Sequence, residues 1–171
     1  MLQRILLLIT LSCCLITPAM AEPKTGIGLA LGPAGANFKA DGSGVGANAS
    51  GLMGLLDFQW GLADWFSANF LFINSQGDSS AEASNDKGWN VGFTGVQARF
   101  WFDSIFVGWG QGNASVSDGG VSVGATGSRM FAVGVEGEAW SLQWLQVGSG
   151  SASANNGLEA NASGILVGYR W

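Results

Sequence analysis

The chain has 171 residues, of which 28 are glycine and only 11% are charged, and its formal net charge is −5 at pH 7. An acidic chain without a basic footprint is not expected to bind nucleic acid. There is no histidine, and both cysteines, Cys13 and Cys14, lie near the N-terminus. From residue 22 onward the composition therefore excludes a disulfide framework and a thiolate metal site.

Residues 1–21 have the pattern of a secretory signal peptide. Arg4 supplies a positive charge, an apolar run follows from Ile5 to Leu11, and residues 19–21 (Ala-Met-Ala) form a small-x-small cleavage site. A transmembrane anchor is a weaker alternative because the run is much shorter than a membrane helix requires. Lipoprotein processing at Cys13 or Cys14 is a further alternative. We expect residues 22–171 to form one exported domain.

Eight apolar runs bounded by turn residues follow along the chain. The predicted strands are about Thr25 to Ala34, Ala49 to Trp60, Trp65 to Ser75, Gly88 to Phe102, Ile105 to Val116, Gly127 to Glu136, Ala139 to Gly148 and Ala160 to Trp171. Short turns at 61–64, 103–104 and 137–138 alternate with longer connections rich in Gly, Ser, Ala and Asn. An even strand number with this alternation is typical of bacterial outer-membrane barrels, whose short turns face the periplasm.

Residue alternation within the runs predicts an apolar face toward lipid and a polar or small face toward the lumen. In the third run, for example, Phe70 and Phe72 alternate with Asn69. The predicted lumen set is Asp57, Gln59, Asn69, Gln97, Arg99, Glu136, Gln143 and Arg170. An eight-stranded barrel has room for little more than side chains, so we expect these charges to pair as a polar plug. The alternative is a narrow, gateable pore lining.

The fourth run breaks this alternation. Trp89, Val91 and Phe93 lie on the parity opposite to Val96 and Phe100. A β-bulge near Gly95 would return all of these side chains to one face. A loop that includes the start of the run is the alternative.

Aromatic residues cluster near the predicted short turns and the C-terminus. The predicted girdle consists of Trp60, Phe66, Phe102, Trp140, Tyr169 and Trp171. Amphipathic rings prefer the headgroup level of a membrane, so this clustering predicts an aromatic girdle on the periplasmic side. Core aromatics of a soluble β-sandwich would not cluster at alternate turns.

The last run carries apolar residues at every second position back from its terminal tryptophan. It resembles the C-terminal strand of bacterial outer-membrane proteins, and Gly164, Val167, Tyr169 and Trp171 resemble the signal read by the barrel-assembly machinery. The sequence departs from that pattern at Ala162, where a polar residue is usual. With its strand count and loop asymmetry, the chain resembles the eight-stranded group that includes the OmpA transmembrane domain and OmpX. The resemblance implies an all-β, eight-stranded antiparallel transmembrane up-and-down β-barrel that meets this machinery during biogenesis.

No residue pattern predicts an enzyme. Some eight-stranded barrels modify lipid A with a histidine beside a serine, and this chain has no histidine. Asp57 has no identifiable Ser or Thr partner, and Asp78, Glu82 and Asp86 lack the spacing of a calcium loop. We therefore expect a monomer without cofactor or metal, embedded in outer-membrane lipid and lipopolysaccharide, with an envelope or surface role. A narrow channel for small or apolar solutes and a secreted soluble β protein are the alternatives.

Overall fold

The computed structural model of the protein describes residues 24–40, 46–79, 88–118, 121–148 and 158–171. The expected signal peptide lies outside these residues. The described strands are β1 (Gly26–Ala40), β2 (Gly46–Ala63), β3 (Phe66–Ser79), β4 (Trp89–Phe102), β5 (Ile105–Asp118), β6 (Val121–Glu136), β7 (Trp140–Gly148) and β8 (Leu158–Arg170). No helix in this part of the chain is long and apolar enough to span a bilayer.

The strands form one closed sheet. Each strand pairs antiparallel with the next, and β1 also pairs antiparallel with β8, which closes the barrel. The predicted eight-stranded up-and-down barrel is confirmed. Both described chain ends and the tight turns lie at one end, which we call the turn end, and the other end is called the loop end. Closure matters because it pairs the backbone groups that an open sheet edge would leave free.

The tight turn between β4 and β5 illustrates the local chemistry of the turn end. Asp103 has a φ of 60°, which places it in the left-handed region. Aspartate tolerates that conformation better than most residues because its short polar side chain bonds locally. Asp103 and Ser104 therefore connect two long strands without a longer loop.

The strands extend further toward the loop end than predicted. β1 continues to Ala40 and β2 begins at Gly46, so most of the predicted loop between them is paired strand. Asn37 pairs with Asn48 in this hairpin. Glycine and alanine have weak strand propensity, but Ala36 packs inside the barrel and the backbone ladder continues. The predicted loop 117–126 is likewise mostly strand, because β6 begins at Val121.

The predicted bulge in β4 is wrong. β4 pairs with β3 and β5 without a register shift around Gly95, and the strand already begins at Trp89, which also excludes the alternative of a loop. Trp89, Val91 and Phe93 instead point into the barrel, on the same face as Arg99. They are apolar residues of the lumen.

A bulge does occur in β6. Between the pairs Gly112–Ser128 and Ala114–Ala125, β6 advances one residue more than β5. Gly127 has a φ of 70°, a conformation that glycine adopts without a steric penalty. As a result, Ala125 and Ser128 are both buried although their numbers differ in parity.

The face of the barrel wall that carries apolar side chains changes from the outside to the inside along the barrel axis. Near the turn end, large apolar side chains are exposed on the outside, including Phe100, Ile105, Val133, Leu142 and Val167. Near the loop end, apolar side chains fill the inside: Met53, Leu55, Leu71, Ile73, Trp89, Val91, Phe93, Val116, Met130, Leu145, Val147 and Leu166 are at most 4% exposed. The outside there carries polar residues instead, including Asn74, Thr94, Gln111, Asn113, Arg129 and Gln146.

Candidate functional site

The eight predicted lumen residues all lie inside the turn-end half of the barrel. Asp57, Gln59, Asn69, Gln97, Arg99, Glu136, Gln143 and Arg170 are at most 7% exposed. They come from β2, β3, β4, β6, β7 and β8, so the cluster spans the lumen. Strand periodicity explains why they share the inner face, because each lies an even number of residues from another inward position of its strand.

Four charged side chains form the centre of this cluster, which we call the charge cluster: Asp57, Arg99, Glu136 and Arg170. Arg170 Nη2 lies 2.9 Å from Asp57 Oδ2, and Arg170 Nε lies 2.8 Å from Glu136 Oε1. Arg99 Nη2 lies 3.2 Å from Asp57 Oδ2, and Arg99 Nη1 lies 3.9 Å from Glu136 Oε2. Each arginine therefore faces both carboxylates, and the four formal charges cancel.

Side-chain amides complete the coordination of these charges. Asn69 Nδ2 donates to Asp57 Oδ2 at 2.9 Å and to Gln59 Oε1 at 3.0 Å. Arg99 donates from Nη1 to Gln59 Oε1 at 3.1 Å and from Nε to Gln97 Oε1 at 2.8 Å. Hydrogen bonds of this kind offset the loss of hydration that makes isolated buried charges costly.

Gln143 differs from the other predicted residues. It is buried, but its Oε1 accepts no hydrogen bond from the described residues. Gln143 therefore borders the charge cluster, whereas Gln59, Asn69 and Gln97 bond within it.

Several further inward residues contact the cluster although the predicted lumen set does not include them. Trp101 Nε1 donates to Ser67 Oγ at 2.9 Å, and Ser67 Oγ donates to Asn69 Oδ1 at 3.2 Å. The guanidinium carbon of Arg99 lies 4.5 Å from the centre of the Phe106 ring, in a cation–π arrangement. The alternation of residues along the strands indicates that Ser67 and Trp101 face inward, since Ser67 shares the face of Asn69 and Trp101 shares the face of Arg99.

Glycines give these long side chains the room they need. A Cβ at Gly28 would overlap Asp57 Oδ1, and a Cβ at Gly108 would overlap Gln97 Nε2. Gly28 lies on β1, between the strands that carry Asp57 and Arg170. The absence of a side chain there allows Asp57 and Arg170 to meet over the β1 backbone.

The arrangement holds charges in place and offers little reactive chemistry. Asp57 Oδ2 is contacted by both arginines and by Asn69, and no Ser or Thr is among the contacts that the structure gives it. Within the described ranges, no group of three or more His, Cys, Asp or Glu side chains could hold a metal ion. The geometry is that of a structural ion network.

The apolar side chains of the loop-end half lie next to the charge cluster, on its loop-end side. On the inner face of β2, Leu55 lies two residues before Asp57, and on β3 Leu71 lies two residues after Asn69, in both cases toward the loop end. At the loop end of this layer, Trp89 is buried and its Nε1 donates to the carbonyl oxygen of Ser50 at 3.3 Å. The interior thus has a charged layer below an apolar layer.

No protein-family model and no curated protein sequence match the chain. Solved structures do match it. The attachment invasion locus protein Ail of Yersinia pestis aligns with a TM-score of 0.52 at 16% identity, over 86% of this chain and 100% of Ail. A structure of Ail with the heparin analogue sucrose octasulfate gives a TM-score of 0.54 at 13% identity, over the same shares of the two chains. Neisserial surface protein A gives 0.51 at 12% identity, over 86% of this chain and 98% of that protein.

The fold is that of the small eight-stranded outer-membrane β-barrels. At these identities the likeness concerns architecture. It agrees with the closed topology and with the apolar exterior near the turn end, which are independent observations on this chain.

In this outer-membrane-type barrel, the six predicted girdle residues all lie on the outer face near the turn end. Trp60, Phe102, Trp140, Tyr169 and Trp171 are exposed, and Phe66 is partly exposed. Phe66 packs 5.5 Å from Phe100, measured between ring centroids. Trp65 is also exposed and adds to the same level, stacked at 6.3 Å on Phe100. The predicted girdle residues thus lie on the outer face of β2, β3, β4, β7 and β8 and at the chain end, all near the turn end.

The predicted assembly signal lies on β8 and at the chain end of this outer-membrane-type barrel. Val167 and Tyr169 point outward, and the rings of Tyr169 and Trp171 lie 5.0 Å apart. Gly164 is buried where β8 approaches β1, and a Cβ there would lie 2.9 Å from the carbonyl oxygen of Pro33. The outward residues present an apolar edge, and the glycine permits close contact at the seam that closes the barrel.

Proposed function

We propose that the protein is an integral outer-membrane barrel with a sealed lumen and a non-enzymatic role in the structure or surface of the cell envelope. The observation that carries the proposal is the charge cluster, which links β2, β4, β6 and β8 across the interior. A seal of this kind suits a protein that anchors a surface without opening a path through the membrane.

The exterior supports membrane residence. Large apolar side chains such as Phe102, Leu142 and Val167 are 66%, 45% and 62% exposed. They belong to a belt that continues around the barrel, and soluble monomers rarely expose apolar patches of that extent. The belt argues against the alternative of a secreted soluble β protein. The predicted signal peptide and assembly signal would supply export and insertion.

The two interior layers support a sealed lumen. An ion crossing the barrel would have to separate Arg99 and Arg170 from Asp57 and Glu136, which are held in ion pairs and hydrogen bonds. It would also have to cross the apolar layer, in which side chains such as Leu71 and Leu145 are completely buried. Both steps oppose conduction because a desolvated ion is costly in apolar surroundings.

The surface role that we propose does not include binding of sulfated sugars. Ail has been solved with a heparin analogue, but the loop-end segments of this chain carry mostly acidic residues. Those segments contain Asp41, Asp78, Glu82, Asp86, Asp118 and Glu159 against Lys39 and Lys87. Such a surface repels polyanions.

A second candidate is a channel for small or apolar solutes. The observation that favours it is the apolar lining near the loop end, where Trp89, Val91 and Phe93 point inward. A solute that entered there would next meet the charge cluster. This candidate therefore requires the ion pairs to open.

Conductance in planar bilayers tests the sealed lumen. We expect the purified wild-type protein to give no steady channels, and we expect a variant that opens both layers, Arg99→Ala combined with Leu71→Ala, to leak. The Asp64→Ala variant, changed in an exposed turn, serves as the control. Steady ion-selective channels in the wild type, altered by Arg99→Ala, would favour the channel instead.

Membrane fractionation tests the location. The protein should appear with outer membranes and migrate differently on a denaturing gel before and after boiling, because a closed barrel resists unfolding. Recovery as a soluble protein with unchanged mobility would contradict the proposal.

A further inference from the structure

A groove of about 630 Å³ lies on the outer surface of the barrel, across β1 to β5 and toward the loop end. It is separate from the charge cluster, which lies inside. Its lower side is formed by Leu29, Leu56 and Phe72, and its upper side by Asn74, Thr94 and Asn113 together with neighbouring polar residues. The groove therefore has an apolar side and a polar side.

Two glycines, Gly54 and Gly92, give the groove its depth. Gly54 pairs with Asn74, Asn74 pairs with Gly92, and Gly92 pairs with Ser115, so the four residues form a continuous row across four strands. Gly54 and Gly92 occupy outward positions of this row and carry no side chain. Neighbouring strands lie about 4.8 Å apart, so the row extends over roughly 14 Å of surface.

The next row of paired residues, on the turn-end side of the glycine row, is apolar at one end and polar at the other. Leu29, Leu56 and Phe72 pair in succession and are apolar, and the row continues to Thr94 and Asn113, which are polar. The change occurs at the upper limit of the apolar belt, since Val96 is the last large apolar residue on the outer face of β4. The groove thus lies at the boundary between hydrocarbon and the polar part of a leaflet.

The polar side is uncharged. It offers amides and hydroxyls, and no Asp, Glu, Lys or Arg is among the residues that line the groove. Asn90 Nδ2 donates to Asn74 Oδ1 at 2.7 Å, which uses one donor and one acceptor of the pair. Each amide has two donors and an oxygen acceptor, so the pair keeps further capacity for a ligand.

We propose that this groove binds an acylated sugar of the outer leaflet. An acyl chain would lie along Leu29, Leu56 and Phe72, and sugar hydroxyls or an amide-linked acyl group would bond to Asn74, Asn113 and Ser115. Neutral donors and acceptors suit hydroxyl and amide groups, whereas the phosphate of a phospholipid headgroup calls for a cation that the groove lacks. The inference rests on the proposed function as an outer-membrane barrel and on the orientation that the sequence predicts, in which the short turns face the periplasm and the loop end faces the cell exterior.

Native mass spectrometry of the delipidated protein in a detergent without sugar groups tests the site. The probe is dephosphorylated lipid A, an acylated sugar that keeps its hydroxyl and amide groups but has no phosphate, and phosphatidylglycerol is the comparison. We expect one molecule of dephosphorylated lipid A to be retained about ten-fold better than phosphatidylglycerol. Gly54→Phe should fill the groove and reduce retention about ten-fold, as should Asn113→Leu combined with Ser115→Val. A Cβ at Gly54 would lie 3.3 Å from Leu31 Cδ2, the flexible end of an exposed side chain, so the barrel should tolerate the change.

Gln146→Leu, an exposed polar position on β7 away from the groove, is the matched control and should retain dephosphorylated lipid A like the wild type. Every variant is first shown to be folded by its heat-dependent gel mobility. Equal retention of both lipids, or unchanged retention in the groove variants, would overturn the site. A dimer that Gly54→Phe dissociates would assign the groove to a second copy of the chain. If the protein still fractionates with outer membranes, each of these results would overturn the lipid site and leave the proposed function standing.

Discussion

Arg170 in the last strand and Asp57 in the second strand form an ion pair of 2.9 Å that passes over the intervening strand β1. The residues are 113 positions apart in the chain. The pair joins the strands on both sides of the seam that closes the barrel, and Gly28 on β1 leaves space for it. Closure of the barrel and formation of the charge cluster are therefore coupled.

Removing one carboxylate should destabilise the barrel strongly. Asp57→Asn leaves two buried arginines facing Glu136 alone, and an uncompensated buried charge costs about 3–5 kcal/mol. The free energy of unfolding, measured by urea titration in lipid vesicles, should fall by that amount. Asp64→Asn in an exposed turn should leave it unchanged. A loss below about 1 kcal/mol for Asp57→Asn would show that the charges are not desolvated.

Balanced removal of charge should be tolerated better. The double variant Asp57→Asn with Arg170→Met returns the cluster to neutrality, because Arg99 and Glu136 remain. We expect it to be more stable than Asp57→Asn alone. Together with the single variant Arg170→Met and the wild type, the two variants form a double-mutant cycle that measures the coupling between the two residues. Additive losses would mean that Asp57 and Arg170 act independently.

Filling the space at Gly28 should disturb the seam. Gly28→Val would bring side-chain atoms against Asp57, which Arg99, Arg170 and Asn69 hold in place. Overpacking of this kind costs about 1–3 kcal/mol. The temperature at which gel mobility changes should fall. Gly124, where an added Cβ meets no atom within 4 Å, is the matched control, and Gly124→Val should have little effect.

The apolar layer of the lumen should contribute to stability like the core of a soluble protein. Leu71 and Leu145 are completely buried, so Leu71→Ala and Leu145→Ala should each lower the free energy of unfolding by about 2–5 kcal/mol. Leu62 is exposed near a turn, and Leu62→Ala should cost much less. Equal losses at the three positions would mean that the layer is loosely packed.

A charge on the outer face should report where hydrocarbon ends. Val133→Arg lies within the apolar belt and should cost about 2–4 kcal/mol in vesicles if the site is near the bilayer midplane. Thr126→Arg lies on the same strand above the belt, where the expected cost is about 0–1 kcal/mol. Urea unfolding of both variants checks the difference. A larger loss at Thr126 would place the membrane closer to the loop end.

Periodicity predicted the turn-end half well, because one rule holds for most of its residues: in hydrocarbon, apolar residues face outward and polar residues face inward. Trp101 and Phe106 are exceptions that face inward. Asp57, Arg99 and Arg170 follow that rule. Trp89, Val91 and Phe93 do not, since the outer face of β4 at that height carries Asn90 and Thr94 and the inside is apolar. Parity identifies the two faces of a strand, but the surroundings of each face depend on the height of the segment relative to the bilayer.

The sequence pattern also did not predict how far the paired strands of the hairpins extend toward the loop end. Residues 35–40 and 121–126 are rich in Gly, Ala, Ser and Thr and resemble loops in composition. Their strand conformation depends on pairing with neighbours, such as Asn37 with both Asn48 and Asn161. The parity of Ser67 and Trp101 indicates the inner face, but their hydrogen bonds were not predicted, because a single hydroxyl or an aromatic ring near a charged residue does not indicate by itself that the two bond.

The apolar filling near the loop end has a consequence for how the protein meets its surroundings. A segment that is apolar inside and polar outside has the arrangement of a water-soluble β-barrel, so we expect it to keep its shape without lipid around it. The paired backbone of the outer hairpins then forms a stiff rim above the bilayer. A partner that docks on this rim meets a surface already ordered, and little conformational entropy is lost on contact.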